Sequence, residues 1–175
     1  MSVPNIYLVG LMAVGKTTVG RLLAESLHMD FCDSDHAIEE RAGAETAWIF
    51  DVEGEDGFRD REEQVIDELT QRANLVLATG GGAVLRAANR QALSSRGVVL
   101  HLDSPLDRLV ERTRKDKRRP LLQKGNVRET LAALMQERAP LYAEVRDYRF
   151  VTDRQSPKLL ARKIEARLRE DGVVK

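Results

Sequence analysis

The stretch with the clearest chemical meaning is a loop near the start of the chain. Residues 10–17 read Gly-Leu-Met-Ala-Val-Gly-Lys-Thr and fit the phosphate-binding pattern G-x-x-x-x-G-K-[ST]. The loop follows an apolar run at residues 6–9, which predicts a buried strand, and precedes a helical pattern at residues 17–27. In that setting, backbone N–H groups of the loop and of the helix N-terminus converge on phosphate oxygens. The sequence therefore predicts a nucleotide phosphate site.

Two side chains at the end of this loop have expected partners. Lys16 supplies a mobile positive charge for the β- and γ-phosphates, and the hydroxyl of Thr17 is a ligand for Mg²⁺. The predicted nucleotide contacts in this region are Gly10, Ala13, Val14, Gly15, Lys16, Thr17 and Thr18. A D-x-x-G pattern typical of a GTPase switch occurs at residues 51–54, but the sequence contains no guanine-reading N/T-K-x-D motif. The GTPase interpretation is therefore weak.

Two carboxylates, Asp33 and Asp35, follow a short predicted strand at residues 29–32. Alternate residues at a strand end can point to the same side. Near a nucleotide, one carboxylate would then face Mg²⁺ and the other a substrate hydroxyl. An alternative stays open, in which either aspartate caps a helix that begins near His36.

Helical spacing places two arginines on apolar stripes. Arg59 and Glu62 share a stripe with Ile66, and Arg138 continues a later stripe that reaches Tyr142. A buried arginine needs a partner, whereas a snorkelling one does not. Both interpretations stay open for Arg138. Two such arginines together favour a bidentate site for a carboxylate ligand.

Three consecutive glycines, Gly80, Gly81 and Gly82, follow an apolar run at residues 75–78 that predicts another strand. Residues without a Cβ permit close approach of a ligand to the backbone. The alternative is a tight turn into a helix near Ala87. Because one glycine would suffice for such a turn, three favour a ligand surface.

Residues 112–124 carry seven basic side chains and one acidic one. Pro120 and Gly125 argue against a continuous helix, and aromatic residues for base stacking are absent. The segment is either a solvated loop or, in a P-loop kinase, a lid. Such a lid closes over ATP and brings an arginine to the transferring phosphoryl group.

Composition narrows the class of protein. The chain has 175 residues, 28 basic and 28 acidic side chains, and 42% hydrophobic residues, which suits one folded domain and argues against a strongly basic nucleic-acid binder. A single cysteine, Cys32, excludes an intrachain disulfide. No secretory signal or membrane-spanning run is recognised, so the expected compartment is the cytoplasm.

Apolar runs alternate with amphipathic stretches along the chain, with further strands expected at residues 98–102 and 148–151. Ser104-Pro105 and Ser156-Pro157 each predict an N-cap followed by proline at the first helical position. Continuous apolar strands separated by helices predict a three-layer α/β fold with a parallel sheet.

Taken together, these segments resemble the shikimate kinase family over essentially the whole chain. The motifs that carry the resemblance are the P-loop, Asp33-Ser34-Asp35, Phe58-Arg59 with Glu62, Gly80-Gly81-Gly82, Arg118-Arg119-Pro120-Leu121-Leu122 and Arg138-Ala139-Pro140-Leu141-Tyr142. The resemblance implies a nucleoside-monophosphate-kinase-like P-loop kinase fold with a five-stranded parallel sheet in the order 2-3-1-4-5. It implies one domain, residues 1–175, with a shikimate-binding segment at about 34–62 and a lid at about 112–125.

The resemblance also implies the reaction. The γ-phosphate of ATP passes to the 3-hydroxyl of shikimate, with Mg²⁺ as cofactor, on the route to chorismate and aromatic amino acids. By position, Asp35 holds the acceptor hydroxyl and is the catalytic base. Arg59 and Arg138 grip the shikimate carboxylate, and the three glycines line that ligand.

On the nucleotide side, the resemblance assigns Lys16 and Arg119 to catalysis, Arg119 being the lid arginine on the phosphates. Asp33 contacts magnesium through water, and Arg112 and Arg154 fall where the family contacts adenine.

One residue departs from the family pattern. Ala13 stands where the family commonly has glycine, although the general P-loop pattern leaves this position free. Two alternatives stay open: another small-molecule kinase, for gluconate or a nucleoside monophosphate, and a non-enzymatic ATP- or nucleic-acid-binding module. The expected partners are ATP and shikimate, without nucleic acid or membrane, and the expected state is a monomer.

Overall fold

A parallel sheet of five strands forms the centre of the molecule. A computed structural model of the chain describes residues 3–114 and 126–175. The strands are β1 (Asn5–Val9), β2 (Asp30–Asp33), β3 (Leu75–Ala78), β4 (Gly97–Asp103) and β5 (Tyr148–Val151). Their order is β2-β3-β1-β4-β5, and every pairing is parallel. The predicted α/β fold and strand order are confirmed.

Helices connect and cover the strands. They are α1 (Lys16–Leu27), α2 (Ser34–Ala42), α3 (Thr46–Leu69), α4 (Ala87–Arg96), α5 (Leu106–Thr113), α6 (Val127–Val145) and α7 (Pro157–Glu170), with a 3₁₀ turn at Ala83–Leu85. Helix α1 packs against α7, while α4 packs against both α3 and α6. All residues of β1 and β3 are buried, as the continuous apolar runs require. No helix in the described ranges is long and apolar enough to cross a membrane.

Two predicted helix starts differ from the structure. Helix α5 begins at Leu106, after Pro105, so the prediction of Ser104 as N-cap is wrong. The buried Ser104 hydroxyl has no hydrogen-bond partner among the described residues. Helix α7 follows the prediction, because Ser156 accepts a hydrogen bond from the backbone N–H of Leu159. Helix α2 begins at Ser34, two residues earlier than expected.

The parallel register brings three loops to one edge of the sheet. Leu8 of β1 pairs with Ala78 of β3, and Asp33 of β2 pairs with the same Ala78. The loops that leave the carboxyl ends of these strands therefore start side by side. In open α/β sheets this edge is where ligands bind. The predicted segment 34–62 begins here, whereas most of the predicted lid at 112–125 lies outside the described residues.

Candidate active site

The phosphate-binding loop connects β1 to α1. Lys16 is the first residue of α1, and its buried Nζ donates hydrogen bonds to the carbonyl oxygens of Gly10 (2.5 Å) and Leu11 (2.8 Å). The ammonium group thus lies within the curve of the loop. The N-terminus of α1 adds the backbone N–H groups of its first turn and a positive dipole end. The arrangement suits an oligophosphate.

Ala13 has an unusual backbone conformation in this loop. Its φ is 66°, in the left-handed region that alanine adopts only at a cost of about 1–2 kcal/mol. The carbonyl groups of Ala13 and Val14 accept hydrogen bonds from Nη1 of Arg112, at 3.1 and 3.2 Å. Arg112 lies in the last turn of α5, so it fastens the loop to the helix that leads into the predicted lid.

Thr17 and Asp33 form the second part of the nucleotide side. The Thr17 hydroxyl donates to Asp33 Oδ2 at 2.5 Å, while Asp33 Oδ1 accepts the backbone N–H of His36 at 3.1 Å. Asp33 is therefore the N-cap of α2, as one of the two interpretations expects, and its other carboxylate oxygen faces the P-loop. No cluster of three or more His, Cys, Asp or Glu that could hold a metal occurs in the described ranges. A hydroxyl and one carboxylate suit Mg²⁺, which takes few protein ligands and fills its octahedron with phosphate oxygens and water.

Two carboxylates meet at Gly80. A Cβ built on this glycine would lie 2.6 Å from Asp35 Oδ1 and 3.0 Å from Glu62 Oε2. The backbone N–H of Gly80 donates to the hydroxyl of Ser34 at 3.0 Å, which ties the glycine turn to the start of α2. Glycine is therefore required here by close approach of acidic groups from α2 and α3.

The other two glycines each lie against a guanidinium group. A Cβ on Gly81 would lie 3.3 Å from Nη1 of Arg138, and a Cβ on Gly82 would collide with the guanidinium of Arg59. Arg138 is only 2% exposed, which excludes the snorkelling interpretation. Each glycine of the turn thus admits a charged group that the sequence pattern singled out.

Glu62 holds Arg59 in place. Its Oε1 accepts a hydrogen bond from Arg59 Nη1 at 2.9 Å, and the side chain is completely buried. Burial raises the pKa of Glu62, and the guanidiniums of Arg59 and Arg138 limit that rise. Glu62 Oε2 and the Nε atoms of both arginines are buried without a hydrogen-bond partner among the described residues. Such groups usually have partners, so their convergence here indicates a polar ligand.

Tyr142 is the residue that the sequence pattern failed to assign to the site. Its hydroxyl donates to the carbonyl oxygen of Gly81 at 2.6 Å, and its ring stacks on His101 with centroids 4.7 Å apart. Burial raises the pKa of this tyrosine, so the hydroxyl stays a donor at neutral pH. The helical spacing from Arg138 to Tyr142 was the available signal, but spacing alone does not reveal a carbonyl partner 61 residues away in sequence.

Two of the remaining predicted residues are exposed to solvent. Arg154 is exposed in the loop between β5 and α7, and Thr18 is exposed in the first turn of α1. Arg119 lies outside the described residues. The D-x-x-G pattern at residues 51–54 is exposed on α3, where Gly54 interrupts the helical dihedral angles with φ 74° and ψ 178°.

Comparisons with known proteins point to one family. A family model described as shikimate kinase matches residues 12–169. The shikimate kinase of Vibrio campbellii is 56% identical over 166 residues, covering 95% of this chain and 96% of the relative. That of Actinobacillus pleuropneumoniae serotype 5b is 57% identical over 157 residues, covering 90% and 91%.

Solved structures agree. Shikimate kinase from Acinetobacter baumannii in complex with shikimate is 51% identical, with a TM-score of 0.94 and coverage of 97% of this chain and 94% of that one. The Aquifex aeolicus shikimate kinase is 33% identical, with a TM-score of 0.83 and coverage of 96% and 98%. A gluconokinase from Sinorhizobium meliloti, 19% identical with a TM-score of 0.56, shares the fold alone.

The tyrosine–glycine contact predicts a loss of stability when the hydroxyl is removed. Tyr142→Phe should lower the free energy of unfolding by about 1–2 kcal/mol, because it leaves the partly buried Gly81 carbonyl without its hydrogen-bond donor. Urea denaturation followed by circular dichroism measures this. Tyr148→Phe is the matched control, since its hydroxyl bonds to Asp171 at the surface. Its effect should stay within about 0.5 kcal/mol, and equal losses in the two variants would contradict the assignment.

The left-handed backbone at Ala13 predicts that a substitution there increases the stability of the protein. Ala13→Gly should raise the free energy of unfolding by about 0.5–1 kcal/mol, because relief of strain exceeds the added freedom of the unfolded chain. Ala133→Gly, at an exposed position inside α6, is the control and should lower it by about 1 kcal/mol. A destabilised Ala13→Gly protein would show that residue 13 is not strained.

Proposed function

The chain belongs to the shikimate kinase family, and we propose that the cluster around Gly80–82 and the P-loop carries out this family's transfer of phosphate from ATP to the 3-hydroxyl of shikimate. Family membership excludes the gluconate kinase, nucleoside monophosphate kinase and non-enzymatic alternatives. The observation that carries the residue assignment is the glycine turn. Asp35, Arg138 and Arg59 each lie against one of its glycines, at the same sheet edge as the P-loop.

The nucleotide side binds and orients the phosphates of ATP. The loop N–H groups, Lys16 and the start of α1 would cradle the β- and γ-phosphates. Thr17 and Asp33, 2.5 Å apart, would hold Mg²⁺, with Asp33 acting through water. When bound, Mg²⁺ would neutralise part of the negative charge on the phosphates. The residues of the nucleotide side otherwise act by holding the phosphates of ATP in position.

The acceptor side recognises shikimate by its charge and its hydroxyl. Arg59 and Arg138 present two guanidiniums at the glycine turn, and guanidinium binds a carboxylate through paired hydrogen bonds. Glu62 orients Arg59. Asp35, on the neighbouring glycine, would then face the acceptor hydroxyl and take its proton. Phosphoryl transfer through a loose transition state requires little early deprotonation, so orientation of the hydroxyl is the larger part of its role.

Three assignments rest on resemblance with less support from contacts. Arg119 of the lid would stabilise charge on the transferring group. Arg154 and Arg112 would contact adenine. Arg112 also donates hydrogen bonds to two carbonyl groups of the P-loop, so a nucleotide bound in the loop would affect its position. The monomeric state and the cytoplasmic location also stay predictions.

Replacing the proposed base tests the catalytic assignment. Asp35→Asn should lower kcat by about 10²-fold or more, because it removes the carboxylate that orients and deprotonates the hydroxyl. A coupled ADP-release assay gives kcat, and calorimetry gives ATP affinity, which should be unchanged. Asp51→Asn, at an exposed position of α3, is the control and should retain full activity. Near-normal turnover of shikimate by the Asp35 variant would remove Asp35 from the mechanism.

A second substitution tests recognition of the carboxylate. Arg59→Lys keeps the charge beside the buried Glu62 but loses the planar fork, so the KM for shikimate should rise about 10- to 100-fold. The KM for ATP should not change. Arg61→Lys, whose side chain pairs with Glu53 at the surface, is the matched control. An unaltered shikimate KM in the Arg59 variant would assign Arg59 to structure only.

A further inference from the structure

A cavity of about 410 Å³ lies between α6 and the outer end of the sheet. Its lining comes from α6, from β4 and the edge strand β5, and from the P-loop. Three side chains of α6, one methionine and two alanines, form one wall, and Leu11 of the P-loop adds to it. His101, Asp103, Arg146 and Arg149 form the polar part of the lining. Its volume falls within the range of small-molecule sites.

The charges around this cavity do not cancel. Arg149 pairs with Asp103, its Nε and Nη2 lying 3.1 and 2.8 Å from Oδ2. Arg146 has a different partner, because its Nη1 lies 3.2 Å from Nδ1 of His101. Within residues 3–114 and 126–175, Arg146 forms no ion pair. The lining therefore contains two guanidiniums and one carboxylate.

The imidazole of His101 does not add a charge at neutral pH. Burial lowers the pKa of this histidine to about 4, with Arg146, Arg149 and Lys16 acting in the same direction and Asp103 opposing them. Since Nδ1 accepts from Arg146, the neutral ring carries its proton on Nε2. Among the described residues that line the cavity, the positive charge of Arg146 is the one without a carboxylate partner.

A net positive charge beside an apolar wall favours a ligand that has one anionic group and an apolar body. We propose that this cavity binds a small organic monoanion, a carboxylate on a compact apolar body, with the carboxylate on Arg146 and the body against α6. A guanidinium takes a carboxylate through two parallel hydrogen bonds, which a neutral amide cannot supply in the same way.

This site is separate from the shikimate site but adjoins it. The ring of Tyr142 lines the cavity and stacks on His101, while its hydroxyl donates to the carbonyl of Gly81 on the other side. Arg138 lies one turn earlier on the same helix. Tyr142 is thus the partition between the two sites, and occupancy of one can be measured while the other is filled.

The chain offers a direct reporter of binding. It contains three histidines. His28 and His36 are exposed and do not belong to the cavity lining, whereas His101 does. Benzoate is titrated into the full-length protein in the presence of saturating shikimate. The ring resonances of His101 in a long-range ¹H–¹⁵N spectrum should then shift along a saturable curve. The resonances of His28 and His36 should stay in place, and benzamide should not reproduce the shift.

Two variants separate charge from volume. Arg146→Gln should weaken benzoate at least tenfold, whereas Arg162→Gln, an exposed arginine of α7, should not. Ala143→Phe fills the cavity without changing charge and should also abolish the shift, which keeps the test valid if the Arg146 variant is unstable. Three results would each overturn the proposal. They are the absence of a saturable shift up to about 10 mM benzoate, an equal benzoate affinity in Arg146→Gln and Arg162→Gln, and loss of the shift when shikimate is added.

Discussion

Close approach of charged side chains to the backbone at residues 80–82 is the constraint on which the rest of the site depends. Asp35 comes from α2, Arg59 and Glu62 from α3, and Arg138 from α6, and their charged groups meet at this turn. A single Cβ at Gly80 or Gly82 would displace a carboxylate or a guanidinium. The parallel register then sets this turn beside the P-loop, because β3 pairs directly with β1. Phosphate and acceptor groups are therefore brought together by the sheet rather than by any single helix.

The same turn explains why a costly arrangement persists in the folded protein. Two nearly inaccessible arginines and a buried glutamate contain three polar atoms without hydrogen-bond partners in the described part of the chain. Each such atom costs about 1–3 kcal/mol when it is left unpaired. A core built for stability alone would place apolar side chains here. A ligand with a carboxylate and hydroxyls can form hydrogen bonds with these atoms and so offset the cost on binding. The arrangement lowers the stability of the free protein, and it favours a polar acceptor over an apolar one.

How far the sequence predicted the site depended on whether the signal was local. The P-loop pattern and the Arg59–Glu62 spacing are each a property of one segment, and the structure agrees with them. The sequence left open whether Arg138 is buried or snorkels, and the structure shows that it is buried. The strand order followed from the resemblance, because continuous apolar strands do not encode their neighbours. The start of α5 after Pro105 was missed, since a Ser-Pro pair suits either position of the cap. The bond from Tyr142 to Gly81 joins distant segments, so no spacing pattern contains it.

Helix α6 links the glycine turn to strand β4 through opposite ends of the Tyr142 side chain. The hydroxyl of Tyr142 contacts the glycine turn, and its ring contacts His101 on β4. The turn cannot move toward or away from Arg138 without moving Tyr142, since both residues lie one turn apart on α6. A shift of this helix would therefore change the position of Arg138, the carbonyl of Gly81 and the outer cavity together. Because packed interfaces change between discrete arrangements rather than deform continuously, binding on either side of Tyr142 would favour one setting of α6, and any coupling between the two sites must be reciprocal.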